Sequence, residues 1–323
     1  MGLATQEDGE SMPKLRIIAN PAAGRGAGAK AIPQVERWLS EHAPDSDLVR
    51  TVRPGHGAEL AQEAAVSGVE VVVAMGGDGT ANEVINGLMA ARLVGKPSPA
   101  LGVLGVGRGS DFAHAIGVPR DLESACQILA EGHRRTIDIG RVVGGNAPQG
   151  RYFGNCVGVG FDAIATIEAA KLPRWGGFLS FLVAVLKTIF LYNKAAVSTV
   201  AYDGKTLTQP SLMISVMNGR RLGGGFFMAP QSEPDDGLFD LCIAHQVSRV
   251  RIFGLIPHFL RGTQSTQKEI ATGQAARITI TAVEGALPAQ TDGEILCVDG
   301  QKLEIELLPR QIDVLCPAPG NAP

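Results

Sequence analysis

The pentapeptide Gly76-Gly77-Asp78-Gly79-Thr80 stands between the apolar run Val71-Val72-Val73-Ala74-Met75 and a helical spacing of apolar residues at Ala81, Val84, Ile85 and Leu88. A strand, a glycine turn and a helix in that order make an anion cradle. Three glycines let main-chain N–H groups approach closely, and Thr80 is expected to cap a helix whose positive end adds about 0.3–1 kcal/mol per favourable charge. Asp78 is the unusual member, because a carboxylate beside phosphates repels them unless a divalent cation lies between, or unless it takes a proton from a hydroxyl.

The chain has 323 residues, 45% of them apolar, and 41 glycines, which suits two packed domains joined by tight turns. A net charge of -3 argues against a nucleic-acid partner. The five cysteines have no C-x-x-C spacing and read as free thiols, and the six histidines have no ligand spacing. No apolar core marks the first residues as a secretory signal, and the stretch from Phe178 to Tyr192 is shorter than the roughly 20 apolar residues a bilayer span needs. A cytoplasmic location is expected.

The first half alternates strands (Leu15 to Ala19, Val69 to Ala74, Leu101 to Val106) with helices (Ile32 to Leu39, Ala58 to Val66, Ala81 to Met89, Leu122 to Ala130). That order predicts an α/β N-terminal domain with a parallel sheet over residues 14–139, to which 309–316 return. Residues 140–308 read as a β-rich, sandwich-like C-terminal domain, with strands at Tyr152 to Val157, Val197 to Tyr202, Ser211 to Met217, Leu238 to Ala244, Arg277 to Ala282, Ile295 to Val298 and Lys302 to Leu307. Two helical insertions interrupt them, Phe178 to Tyr192 and Val247 to Leu260. Residues 1–13 and 317–323 read as disordered.

Two further glycine loops follow strands: Asn20 to Gly28, and Gly105 to Phe112 with Gly107, Arg108 and Gly109. Neither has the Gly-Lys-Ser/Thr ending of a Walker loop, and no loop contains G-x-G-x-x-G, so conventional NTPase and dinucleotide signatures are absent. Three such loops on successive strands favour one shared phosphate site. Asp235-Asp236-Gly237 and Asp292-Gly293-Glu294 are open to two readings, a turn or a carboxylate site.

Together these motifs resemble the diacylglycerol kinase catalytic-domain family, and within it the bacterial lipid kinases similar to YegS, BmrU and DgkB. The resemblance runs from Ile17 to about Cys316: Asn20-Pro21, Thr51 ahead of Pro54-Gly55-His56, Gly76 to Thr80 followed by Asn82-Glu83-Val84-Ile85-Asn86-Gly87, Ser110-Asp111-Phe112-Ala113, Asp235-Asp236-Gly237 and Asp292-Gly293-Glu294. It implies an NAD kinase/diacylglycerol kinase-like fold. It further implies that Asn20, Thr51, Gly76, Gly77, Asp78, Gly79, Thr80, Ala81, Asn82 and the loop Gly107, Arg108, Gly109 hold ATP. By the same resemblance Asp292 accepts the proton, while Glu294 and Asp78 position magnesium or the triphosphate. A second, structural magnesium is implied at Asp235-Asp236, through the Asp236 carboxylate and the main-chain oxygens of Glu233 and Leu238. Arg108 and Ser110 stand where the family usually has Thr and Asn, so an altered nucleotide contact is expected.

The expected function is ATP- and magnesium-dependent phosphorylation of a lipid hydroxyl, such as that of diacylglycerol, by a protein associated peripherally with the membrane. Lys171, Arg174, Trp175 and the apolar insertions supply basic and apolar residues for that surface, although a single apolar helix face is more commonly core. A kinase for a soluble acceptor such as NAD, and a non-catalytic lipid or nucleotide sensor, are the alternatives. The sequence leaves open the lipid acceptor, the general base and whether sheet edges pair two chains into a homodimer.

Overall fold

The computed structural model describes residues 12–96, 98–106, 110–172, 177–192 and 194–320. Gly107, Arg108, Gly109, Arg174, Trp175 and both chain ends therefore lie outside the described residues. The first half runs β1 (Leu15–Ala19), α1 (Ala27–His42), β2 (Asp47–Arg50), α2 (His56–Val66), β3 (Val71–Gly76), α3 (Asp78–Leu93), β4 (Ala100–Gly105), α4 (Asp111–Ala115) and α5 (Leu122–Glu131). β2, β1, β3 and β4 lie side by side, all parallel. Every residue of β3 is buried, as expected for an apolar run covered by helices on both faces. The order reverses between β1 and β3, which leaves a crevice at their C-terminal ends.

The second half continues with β5 (Arg134–Gly144), β6 (Ala147–Phe153), β7 (Cys156–Gly160), α6 (Phe161–Lys171), α7 (Gly177–Leu191), β8 (Val197–Tyr202) and β9 (Lys205–Met217). The short hairpin β10 (Arg221–Leu222) and β11 (Phe226–Phe227) precedes β12 (Phe239–His245), α8 (Arg249–Arg261), β13 (Ile270–Ala275), β14 (Arg277–Glu284), β15 (Leu287–Thr291), β16 (Glu294–Gly300) and β17 (Lys302–Leu315). Strands β5 to β17, apart from the hairpin, wrap round an apolar interior in which Phe153 and Phe239 stack at 5.5 Å. β9 serves two cores by alternation: Ile214 and Val216 face this interior, Met213 and Met217 face the layer under α6, α7 and α8.

β17 joins the halves. Its first part pairs with β14 and β5, and its end brings Val314 beside Leu101 of β4, with a register break between Leu308 and Ile312. Asp138 holds that break by accepting the N–H of Arg310 at 2.7 Å and of Gly237 at 2.8 Å. Ile312, Val314 and Leu315 belong to the core of the parallel sheet, so we propose that 309–316 are part of the first domain.

The structure differs from expectation in several elements. The run Tyr152 to Val157 is divided between β6 and β7, because the N–H groups of Gly154, Asn155 and Cys156 turn toward Asp292. β2, β5, β13 and β15 were not expected as strands, nor α6 as a helix; Gly160 at φ 86° ends β7 and lets the alanine-rich segment coil. The helices α5 and α8 begin on side-chain caps, Asp121 to the Ser124 N–H and Ser248 to the Arg251 N–H. All five cysteines are free and buried.

α3 sits directly on α2 at Gly87, where a Cβ would run into the Ala58 carbonyl and the Ala61 methyl at 2.8 Å. Gly87→Ala is expected to lower the unfolding free energy by about 1–3 kcal/mol, the usual overpacking cost, in urea titration.

Candidate active site

Three strand ends converge. Asn20, just past β1, donates from its side-chain amide to the Thr80 hydroxyl at 3.0 Å and from its N–H to Met75 O at 2.9 Å. Val106, just past β4, donates to Gly76 O at 3.0 Å, and a side chain at Gly24 would strike the Val106 carbonyl. Thr51 is tied to the Ala19 carbonyl at 2.8 Å, and the Glu83 carboxylate fastens the loop after it by accepting the N–H of Gly55 (2.7 Å) and Gly57 (2.9 Å).

α3 starts at Asp78, with Gly77 in front of it. Thr80 is therefore not the cap that the sequence suggested. It lies within the first turn, with its side chain packed over Gly76, and Ala81 behind it is buried. The helix end points its unpaired N–H groups and its positive pole into a cleft of about 760 Å³. Asn20, Thr51, Gly77, Asp78, Gly79 and Thr80 form one wall. Asp292, Glu294, Phe181 and Leu222 contribute the other, whereas Gly76, Ala81 and Asn82 stand behind the surface.

Asp292 is buried, has φ 46°, and accepts four hydrogen bonds: from Asn155 N (3.0 Å) and Cys156 N (2.9 Å) on Oδ1, and from Gly154 N and the Asn82 amide (both 2.9 Å) on Oδ2. Asn82 is held in turn by Arg151, which donates to its side-chain oxygen at 2.8 Å. Burial raises the Asp292 carboxyl above its ordinary value, and the four donors act against that rise. Glu294 reaches across to the glycine loop, where its carboxylate would stand 2.8 Å from a Cβ at Gly79. Partial removal from water raises it, against the pull of Arg151.

Asp78 Oδ1 accepts the Phe112 N–H at 3.0 Å. Burial, and after it the charge of Asp111, pushes Asp78 up to about 7. Asp111 accepts from Arg221 Nε at 2.9 Å and from Gly224 N at 3.1 Å; burial raises it too, and the Arg221 guanidinium opposes the rise. Two carboxyls and an arginine thus link α3, α4 and the β10–β11 hairpin.

The segment Glu233 to Leu238 lies elsewhere, against the start of β5. Asp235 is held by Arg135 through two bonds of 2.5 Å, Glu233 by Arg135 at 3.1 Å and by Arg220, and Asp236 accepts the Leu238 N–H at 3.0 Å. The side chain of Asp235 is thereby neutralised by a guanidinium and does not fit a cation ligand. No group of three or more metal-ligating side chains occurs among the described residues.

The Diacylglycerol kinase catalytic domain matches residues 14–142, and the YegS C-terminal NAD kinase beta sandwich-like domain matches 155–316. A diacylglycerol kinase of Bacillus subtilis (strain 168) is 32% identical over 285 residues, covering 88% of this chain and 90% of its own. The chain belongs to the diacylglycerol kinase family. As a family member it is a phosphotransferase with an alcohol group as acceptor, and kinases of this family use ATP. Its fold matches the crystal structure of a diacylglycerol kinase from Bacillus anthracis str. Sterne, with a TM-score of 0.71, 24% identity, and 94% and 97% of the two chains covered. The fold extends to an NAD kinase from Archaeoglobus fulgidus in complex with ATP, at a TM-score of 0.50, 14% identity and 93% of each chain.

Several residues at this candidate site escaped sequence reasoning. Glu83 and Asp111 lie inside the quoted motifs without an assigned role; Asn155 lines the cleft, and Arg151 and Arg221 hold Asn82 and Asp111, contacts that only the tertiary fold makes. The proton that Asp78 retains when folded sets a pH dependence. Between about pH 4 and about pH 7 the folded chain holds a proton that the unfolded chain releases, so stability falls as pH rises. Asp78→Asn keeps an acceptor for Phe112 N and avoids the buried charge. Its advantage over wild type in unfolding free energy, read by urea titration without nucleotide, is expected to grow across that interval, by at most about 1.4 kcal/mol per pH unit, and to level off above it.

Proposed function

We propose that this chain transfers the γ-phosphoryl group of ATP, with magnesium, to a hydroxyl of a membrane lipid such as diacylglycerol. The observation that carries the proposal is the two-sided cleft. One wall is a helix N-terminus with glycine loops, suited to phosphates; the other is formed by a carboxylate turn and the apolar helix α7. Among the described residues no helix is long and apolar enough to cross a membrane. α7 and α8 nevertheless expose Leu179, Phe190, Leu191 and Val250, each more than half accessible, while Ala184, Val185 and Ile189 of α7 are buried. The two readings of the insertion thus apply to opposite faces of one helix. Its outer face, with Lys171 and Lys187 paired to Glu168 nearby, supports contact with a lipid surface and argues against a soluble acceptor such as NAD.

Magnesium fits the chemistry of the cleft: Asp78 and Glu294 offer hard oxygen atoms, and this ion commonly takes one or two carboxylates together with substrate phosphates. When bound it neutralises phosphate charge. The α3 N-terminus with its glycine turn and the loops at Asn20 and Thr51 orient the triphosphate, and Glu294 lies against Gly79 beside it. For a structural magnesium at 233–238, only Asp236 and the main-chain oxygens of Glu233 and Leu238 remain as donors, and no step depends on it.

Asp292 is assigned as proton acceptor, which requires one of its four hydrogen bonds to yield; the Asn82 amide is the only side-chain donor among them. Asp78 is the second reading, favoured by a carboxyl near 7. ADP release should be measured in mixed micelles with diacylglycerol, monoacylglycerol, sphingosine, ceramide or no lipid. Turnover with one lipid, falling about 10²–10⁴-fold in Asp292→Asn, is expected. A larger loss in Asp78→Asn than in Asp292→Asn would transfer the base role to Asp78. Turnover with NAD and none with any lipid would overturn the lipid reading, and nucleotide binding without any turnover would leave the sensor.

A further inference from the structure

The apolar helix α7 carries two hydroxyls, Ser180 and Thr188, and both are buried. Thr188 donates to the Ala184 carbonyl at 2.8 Å, the common way a hydroxyl is satisfied inside a helix. Ser180 is different: only 5% of it is exposed, and its Oγ has no hydrogen-bond partner. A hydroxyl withdrawn from water and left unpaired is costly to a fold.

Ser180 also lines the cleft that holds Asp292 and Glu294. α6 and α7 together supply Thr166, Ala169, Ala170, Ser180 and Phe181 to that lining, none of them charged. The Thr166 hydroxyl is spent on the Asp162 carbonyl at 2.9 Å. A second unpartnered buried atom of the lining, Asn155 Oδ1, is packed on Gly219, where a Cβ would strike it, and as an amide oxygen it only accepts. Among the described residues, Ser180 is therefore the spare donor on this part of the cleft.

Its place along α7 decides what such a donor meets. The next residue, Phe181, borders the cleft on one side and an apolar chamber of about 60 Å³ beneath α7 and α8 on the other. The β10–β11 hairpin fixes that ring: a Cβ at Gly223 would strike Phe181, and Phe226 meets it edge-on at 5.8 Å. Ser180 thus stands where the carboxylate-bearing cleft gives way to hydrocarbon. In a neutral acyl lipid the group at that boundary, a few bonds from the free hydroxyl, is an ester carbonyl. A carbonyl oxygen accepts, does not donate and brings no charge, which suits an uncharged wall with one spare donor.

We propose that Ser180 is a specificity-determining residue: its hydroxyl donates to the ester carbonyl next to the reacting hydroxyl, so that the site distinguishes acylglycerols from ether-linked alkylglycerols. The proposal rests on the lipid-kinase reading and adds to it the linkage that the site recognises. An ester-linked acceptor pairs a hydroxyl that the free protein leaves unpaired, whereas an ether-linked one offers no carbonyl and leaves it so.

The wild-type chain should be assayed in mixed micelles with dioctanoylglycerol and with its ether counterpart dioctylglycerol. kcat/KM is expected to favour the ester about 5-fold, the worth of one neutral hydrogen bond, and equal values would overturn the proposal. In Ser180→Ala the ester-to-ether ratio is expected to fall by the same factor. A ratio within about 1.5-fold of wild type would overturn it, because a packing role weakens both lipids alike. Urea titration of Ser180→Ala without lipid supplies a readout apart from activity. No loss of stability is expected, and a loss would mean that the hydroxyl is already engaged in the free protein and would overturn the proposal. Absence of wild-type turnover with any lipid would instead overturn the lipid-kinase reading itself, and the Ser180 proposal with it.

Discussion

The buried carboxylate of Asp292 governs the geometry of this molecule. An ion removed from water is tolerated only when its lone pairs are filled, and here three consecutive main-chain N–H groups of 154–156 and one amide from α3 fill them. The turn after β15, the β6–β7 connection and helix α3 thus meet at one group. The same carboxylate lines the cleft, so the contact that sets the two halves against each other also shapes the candidate site.

Around it the cleft concentrates carboxyl groups. Asp78, Asp111 and Asp292 are all raised by burial, and Arg221 is the cation whose bonds to Asp111 oppose the rise. Arg221 stands on the β10–β11 hairpin, whose glycines receive the rings of Phe178 and Phe181. One short hairpin therefore touches both the carboxylate cluster and the helix with the exposed apolar face. Removing charge on one side, or ordering the helix on the other, acts on the same backbone.

Some elements were legible because local physics suffices for them. β1, β3 and β4 are continuous apolar runs that only a doubly covered sheet can bury, and α5 carries its own cap and its Gly132 stop. β2 was not legible: three half-exposed residues and the exposed Arg50 have no period, and pairing with β1 makes them a strand. β5 and β13 are strands chiefly because β17 and β12 pair with them. Thr80 looked like a cap because the apolar period starts after it, but the helix begins at Asp78, whose carboxylate finds the Phe112 N–H across the cleft. At Asp235 the resemblance implied a metal ion, whereas the carboxylate is paired with Arg135, 100 positions away.

The sequence by itself determined the alternation of β1, β3 and β4 with their helices, the glycine-rich motifs after those strands and the carboxylates within the motifs, since these depend on turn conformation and on local burial patterns. Tertiary structure alone decided which charges meet. Arg221 on Asp111, Arg151 on Asn82 and the backbone of 154–156 on Asp292 join residues 69 to 138 positions apart. It also decided that Phe181 borders two cavities. Such contacts depend on how sheets pack and cross, and no local periodicity records that.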